Sequence, residues 1–317
     1  MGYRAVKCLI LIFLITACEK QPPSPIKLAI NPWPGYEFLY LADKKGFFKD
    51  VGLDIDLIQL VSLADTQRAY TKGIVDGFAS TIIEAVQAQP LGGKPLKIVL
   101  VPDYSNGGDV IISGPEITDV AQLKGKNVGA EISSLGIYVL ARALSKSGLV
   151  LEDVSLINIE QAQGERAMLE GRIDAYVSYP PVSVTLLRNT EYKKIFGSDE
   201  IPKEIIDTIS FSVDIIDRNP GLVEKFQRAW QMALDYADKH KDEAYQLMAQ
   251  REGISKEEFR ETLDDLIILD NEEQSRLFES MDFLQRAVIN VCETMVHIKS
   301  IEVDCKKYPD IIYRKNK

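Results

Sequence analysis

Several short stretches of this chain gather residue types suited to gripping a small molecule. Trp33, Tyr36 and Glu37 set two aromatic rings beside a carboxylate, and Ser80, Thr81 and Glu84 add hydroxyls and a second acid. Ser133, Ser134 and Gly136 open a helix, and Tyr179-Pro180-Pro181 forms a further aromatic stop. Aromatic faces stack on flat or apolar solutes, and carboxylates attract ammonium groups. Hydroxyls and free N–H groups at a helix start suit an anionic head group. Ser105 lies in a further stretch, Asp103 to Asp109, rich in turn formers. Plainer roles compete. Trp33 and Tyr36 could be core residues, although a Trp between two prolines is awkward to bury. Ser133 and Ser134 could be only helix caps. Asp103 and Asp109 read best as turn residues, and Glu37 and Glu131 as surface acids unless a ligand ammonium meets them.

Residues for bond-making chemistry are scarce. The two histidines, His240 and His297, fall far along the chain from these loops, so neither a Ser/His/acid triad nor a metal cluster can be assembled. Phosphate-loop, dinucleotide and His-Glu-x-x-His signatures are missing from the sequence. The expectation is a binding protein without cofactor or metal, not an enzyme.

The elements that position these loops are written twice. Gln67 to Ser80 aligns without gaps on Glu165 to Ser178, with Arg68, Ala69, Gly73, Asp76 and Ser80 over Arg166, Ala167, Gly171, Asp174 and Ser178. Upstream, Gly35, Leu39 and Ala42 match Gly136, Leu140 and Ala143. Each copy runs strand, loop, helix, strand, which predicts a doubly wound, mostly parallel α/β lobe. Two such lobes leave a cleft, the usual place for a small ligand, and loops at strand carboxyl ends line it. Asp76 and Asp174 read as structural caps. The chain crosses between lobes at Asp103 to Asp109 and returns near Ile205 to Ile215. From Asn219-Pro220 onward the pattern is helical: Leu222 to Ala237, Glu243 to Ala249, a helix capped by Ser255 with Glu258, and one long helix from Glu272 to about Ile298.

The amino terminus points outside the cytoplasm. Arg4 and Lys7 precede an apolar run, Cys8 to Ile15, too short to span a bilayer but suited to a secretory signal. The run ends in Ile15-Thr16-Ala17-Cys18, which resembles the lipobox of bacterial lipoproteins. Cys18 is therefore the expected lipidated first residue, with 1–17 a signal peptide and 18–25 a proline-rich tether. The 37 basic and 47 acidic residues give a net charge of −10, which argues against nucleic acid as a partner. Cys292 and Cys305 either form a disulfide or remain thiols, since spacing leaves pairing open.

Beyond these readings, Gly46-Phe47-Phe48 with Gly52-Leu53, the Gly73-x-x-Asp76 repeat, Leu123-Lys124-Gly125-Lys126 and Asn219-Pro220 occur in an order that resembles substrate-binding proteins of ABC importers. The class is that of nitrate, sulfonate and taurine, including thiamine-pyrimidine-type binding proteins, and the match runs from about Ile26 to about Leu269. It implies a type II periplasmic-binding-protein fold with a hinged cleft and a C-terminal helical segment. Lobe 1 is then 26–104 with 210–317, and lobe 2 is 105–209. It also implies that the loops at Trp33, Ser80, Ser105, Ser133 and Tyr179 line the cleft. Glu37 departs from a plain anion site, so the expected solute is a zwitterion or neutral heterocycle, its acidic end on the Ser133 helix start. The expected protein is a monomer, held to the outer face of a membrane by its lipid alone and serving an ABC permease. A sensor lipoprotein docking on a signalling receptor is the alternative. An enzyme of pyrimidine precursor synthesis on this fold would need a His or Cys near the cleft, and the sequence offers none.

Overall fold

A computed structural model describes residues 24–314. The signal segment, Cys18 and most of the tether lie outside the described residues. The strands in chain order are β1 (Ile26–Ile30), β2 (Ile55–Gln59), β3 (Gly77–Thr81), β4 (Leu96–Leu100), β5 (Asp103–Ser105) and β6 (Val110–Ser113). They continue with β7 (Asn127–Ala130), β8 (Ser155–Asn158), β9 (Ala175–Ser178), β10 (Lys193–Gly197), β11 (Asp207–Ser212) and β12 (Leu266–Ile268). One five-stranded sheet has the order β2-β1-β3-β11-β4 and the other β10-β6-β9-β7-β8, while β12 pairs with β5. The chain is thus a two-lobed α/β protein with a helical C-terminal portion.

The repeat is carried into atomic detail. Asp76 Oδ2 accepts the Lys27 N–H at 2.9 Å, and Asp174 Oδ2 accepts the Asn127 N–H at 2.8 Å. Each aspartate ties the start of the strand before its lobe's repeat unit, β1 or β7, to the strand that follows the repeat helix. The pairings are parallel and matched, with Leu28 opposite Gly77 and Val128 opposite Ala175. Before each, Gly73 and Gly171 take φ of 68° and 63°, the left-handed region that glycine enters without a Cβ clash, and so end the repeat helices.

The sheets are mixed rather than mostly parallel. β11 runs antiparallel to β3 and β4, and β6 runs antiparallel to β9 and β10. A strand reached through a crossover helix within one lobe enters parallel to its neighbour. β6 and β11 are the strands the chain reaches on arriving from the other lobe, so that constraint does not act on them.

The core follows from side-chain pattern. β1, β3, β4 and β11 are buried almost throughout, as expected for strands covered on both faces. The helix Leu222–Lys239 turns Phe226 and Trp230 inward, where Phe226 stacks on Phe48 at 5.5 Å and Trp230 meets Phe38 edge-on at 5.6 Å. Ser255 and Glu258 form the expected capping box. The long terminal helix is instead two, Asn271–Ser280 and Asp282–His297, because Met281 adopts a left-handed conformation with φ of 50°. Neither glycine nor proline marks that break. Cys292 and Cys305 are joined by a disulfide.

Candidate functional site

Trp33 sits in the loop after β1, buried, and its Nε1 donates to the Asp103 carboxylate at 3.3 Å. The loop must come this close because a Cβ at Gly35 would lie 1.9 Å from Asp103 Oδ2. Tyr36, the next residue, is fully buried; its hydroxyl donates to the Ser80 carbonyl at 2.9 Å and also contacts Asp207 Oδ1. From the other lobe Tyr179 meets Trp33 edge-on at 6.0 Å and accepts the Leu63 N–H at 3.2 Å. Asn31, Trp33, Tyr36, Leu63, Asp109, Leu135, Tyr179 and Asp207 line a seam between the lobes that is nowhere wide enough for a water molecule. The lobes are shut on one another.

Acids dominate this junction. Asp103 and Asn31 are fully buried, and Asp109 and Asp207 are only 2% exposed. Burial pushes Asp103 up to about 7, partly offset by the Trp33 N–H. Asp109 also rises to about 7, from burial and from the charge of Glu84. Asp207 lies well above the usual carboxylate range, driven first by burial and then by Asp103 and Asp109. Asp103 and Asp207 are close enough for each to shift the other, and burial favours the protonated form of both. Asp109 Oδ2 and Asn31 Oδ1 have no partner.

The anticipated residues divide. Trp33, Tyr36 and Tyr179 are brought together at the cleft. Ser80 pairs its hydroxyl with Thr208 at 3.1 Å inside the first sheet. Thr81 caps the helix Ile82–Ala88 in a capping box with Glu84. Ser105 binds Ser198 at 2.7 Å and accepts the Asp109 N–H, bracing the crossing. Ser133 is exposed, and Ser134 donates to Glu131. The helix start at Leu135 is taken by Glu84, whose Oε1 accepts the Leu135 N–H at 2.7 Å. Glu37 is buried, but its carboxylate is held by Arg251, beside Glu252. Burial raises Glu37 to about 7, with Arg251 pulling it down.

Sequence reasoning missed Asn31 and Asp207 and read Asp103 and Asp109 as turn residues. The available signal was apolar context: Asp207 lies in Ile205-Ile206-Asp207-Thr208-Ile209, and a carboxylate inside such a run is buried with it. A larger cavity of about 920 Å³ lies between the helices Leu135–Lys146 and Asp282–His297. On its wall Arg142 and Glu204 satisfy each other in a bidentate pair at 2.6 and 2.9 Å, so it presents no comparable unmet group.

The fold is that of the two-lobed periplasmic binding proteins. The protein resembles the aliphatic sulphonate binding protein SsuA of Escherichia coli, with a TM-score of 0.75, 16% identity, and 93% and 94% of the two chains covered. It also resembles the nitrate-binding protein NrtA of Synechocystis PCC 6803, with a TM-score of 0.73, 15% identity, and 91% and 85% covered. Residues 33–244 match the NMT1/THI5 like family, and the chain belongs to it.

Among curated relatives, the 4-amino-5-hydroxymethyl-2-methylpyrimidine phosphate synthase THI13 of Saccharomyces cerevisiae is 24% identical over 220 residues, 65% of this chain and 64% of that protein. The synthase of Candida albicans is 25% identical over 221 residues, covering 65% of each. The chain spans about two-thirds of the length of these relatives. They overturn the expectation that the chain is no enzyme, since the family contains named enzymes. That expectation rested on the lack of familiar His- or Cys-centred arrangements. Buried acids poised near neutrality, such as Asp103 and Asp109, are themselves groups able to move protons.

Proposed function

We propose that this chain is an extracytoplasmic solute-binding protein that captures a small polar molecule between its lobes and delivers it to an ABC importer. The observation that supports it most is the pairing of Trp33 and Tyr36 from one lobe with Tyr179 from the other, around buried acceptors that lack partners. In this reading 26–104 with 210–317 and 105–209 are the moving bodies, and Cys18 carries a lipid that holds the monomer at the membrane. Solute bound by both lobes selects the closed state.

The synthase relatives make a 4-aminopyrimidine a natural test solute, its ring lying against Trp33 and Tyr179. A thermal-shift screen of the purified chain against pyrimidines, amines, amino acids, sulfonates and nitrate tests the reading. A ligand specific to the native state raises Tm by mass action. A saturable rise with at least one class, weakened by Trp33→Ala, supports it; uniform silence across the panel counts against it.

A further inference from the structure

We propose that the solute held between the lobes is an organic cation with N–H donors, an ammonium or amidinium, and that Asn31, Asp109 and Asp207 are its acceptors. This rests on the cleft being the solute site and goes on to name the chemistry of what fills it.

Three observations converge. First, the unmet groups are all of one kind. Asn31 Oδ1, Asp109 Oδ2 and Asp207 Oδ2 are buried without any donor. Buried acceptors without donors cost free energy that a ligand rich in N–H groups removes. Second, among the described residues no Lys, Arg or His lines the space. An anion entering here would meet Asp103, Asp109 and Asp207 with nothing to offset them, whereas a cation relieves their mutual repulsion. Third, Trp33, Tyr36 and Tyr179 offer ring surfaces around the same space, and aromatic faces attract organic cations.

A bare metal ion fits less well. Among the described residues no three acidic, His or Cys side chains converge in a way that would hold one. Burial is the first cause of the raised proton affinity of the junction acids, and a cation placed beside them would draw protons off. The space is too narrow for a ligand in this fully shut form, so the lobes must part for entry and then close on the solute rather than on each other.

The test is calorimetry on the full chain in detergent at pH 7.5 with matched probes: benzamidinium against benzamide, and n-butylammonium against 1-butanol, with nitrate and methanesulfonate as anions. The expected result is dissociation constants at least tenfold lower for each cation than for its neutral partner. Asp207→Asn and, separately, Asp109→Asn should weaken the cations tenfold or more and benzamide by a clearly smaller factor. The wild-type comparison decides even if a variant fails to fold. Equal or tighter binding of a neutral probe or an anion would overturn the cation assignment and leave the solute site standing. No binding by any probe, with small-angle scattering unchanged throughout, would overturn both.

Discussion

The Glu84 carboxylate accepts the Leu135 N–H at 2.7 Å, though the two residues belong to different lobes and stand 51 positions apart. The other oxygen of Glu84 accepts the Thr81 N–H at 2.8 Å and the Thr81 hydroxyl at 2.6 Å. One side chain thus caps the helix Ile82–Ala88 in its own lobe and sits on the start of the helix Leu135–Lys146 in the other. Burial raises its pKa, and the Thr81 and Leu135 donors pull it back. A free helix N-terminus attracts anions, and this closed form fills that position with the protein's own carboxylate.

Replacing Glu84 by Gln removes the charge and turns an NH2 toward one of three donors. Leaving a buried donor unmet costs about 1–3 kcal/mol. The expected outcome is a lower Tm together with a larger radius of gyration in scattering, because the lost contact bridges the lobes. A fall in Tm with unchanged dimensions would mean that Glu84 serves its own helix only.

The buried acids set the direction of the pH response. Glu37, Asp103, Asp109 and Glu131 all rise to about 7 in the folded chain, burial being the first cause in each. Their unfolded values are near 4, so between about pH 4 and 7 the folded state holds more protons. Stability therefore falls as pH rises through that window, and Asp207 and Glu252, raised well above the ordinary value by burial, carry the fall further. Glu258, held at about 2 by Arg188, acts in the opposite sense, but only below the ordinary carboxylate range. The ligand-free chain should melt higher at pH 5 than at pH 8, and Asp109→Asn should shrink the difference. A Tm flat or rising from pH 5 to 8 would contradict the assigned burial of charge.

How much of this was legible in the sequence depends on distance along the chain. The repeated lobes were readable because Gly73-x-x-Asp76 and Gly171-x-x-Asp174 are local, and each residue's role is fixed by its immediate neighbours. Trp33, Tyr36 and Tyr179 were readable as cleft residues because prolines and strand ends mark their loops. Glu37 was misleading: its partner Arg251 lies 214 positions away, and no local pattern announces the pair. The same holds for Asp103 with Asp207, on strands that meet only after the chain has passed through the other lobe and returned.

The disulfide offers a test of the C-terminal segment. Cys292 lies in the helix Asp282–His297, and Cys305 begins the short helical segment Cys305–Ile311, a separation of 13 residues. Just beyond, Tyr313 donates its N–H to the Ile98 carbonyl at 3.0 Å, and Ile312 is buried beside β4. Closing a loop of this length stabilises by about 3 kcal/mol in the chain-entropy treatment. Reduction, or Cys305→Ala, should lower Tm by several degrees and speed amide exchange at Tyr313 before it affects β1 or β7. Unchanged exchange at Tyr313 would show that packing alone holds the segment.

Asp76 and Asp174 allow the two lobes to be compared through one substitution made twice. Each is partly exposed, and each accepts an N–H from one of the first two residues of its neighbouring strand, that of Lys27 or Asn127. Asparagine keeps the shape and an acceptor oxygen but loses the charge that strengthens the bond. Each variant should cost about 1 kcal/mol, and the effect should be local: faster exchange at Lys27 in Asp76→Asn and at Asn127 in Asp174→Asn. Because the sites lie in separate lobes and share no partner, the double variant should show the sum of the single losses. A double variant clearly worse than that sum would mean that the lobes lose stability together, as expected if the closed junction at Trp33 and Tyr179 couples them.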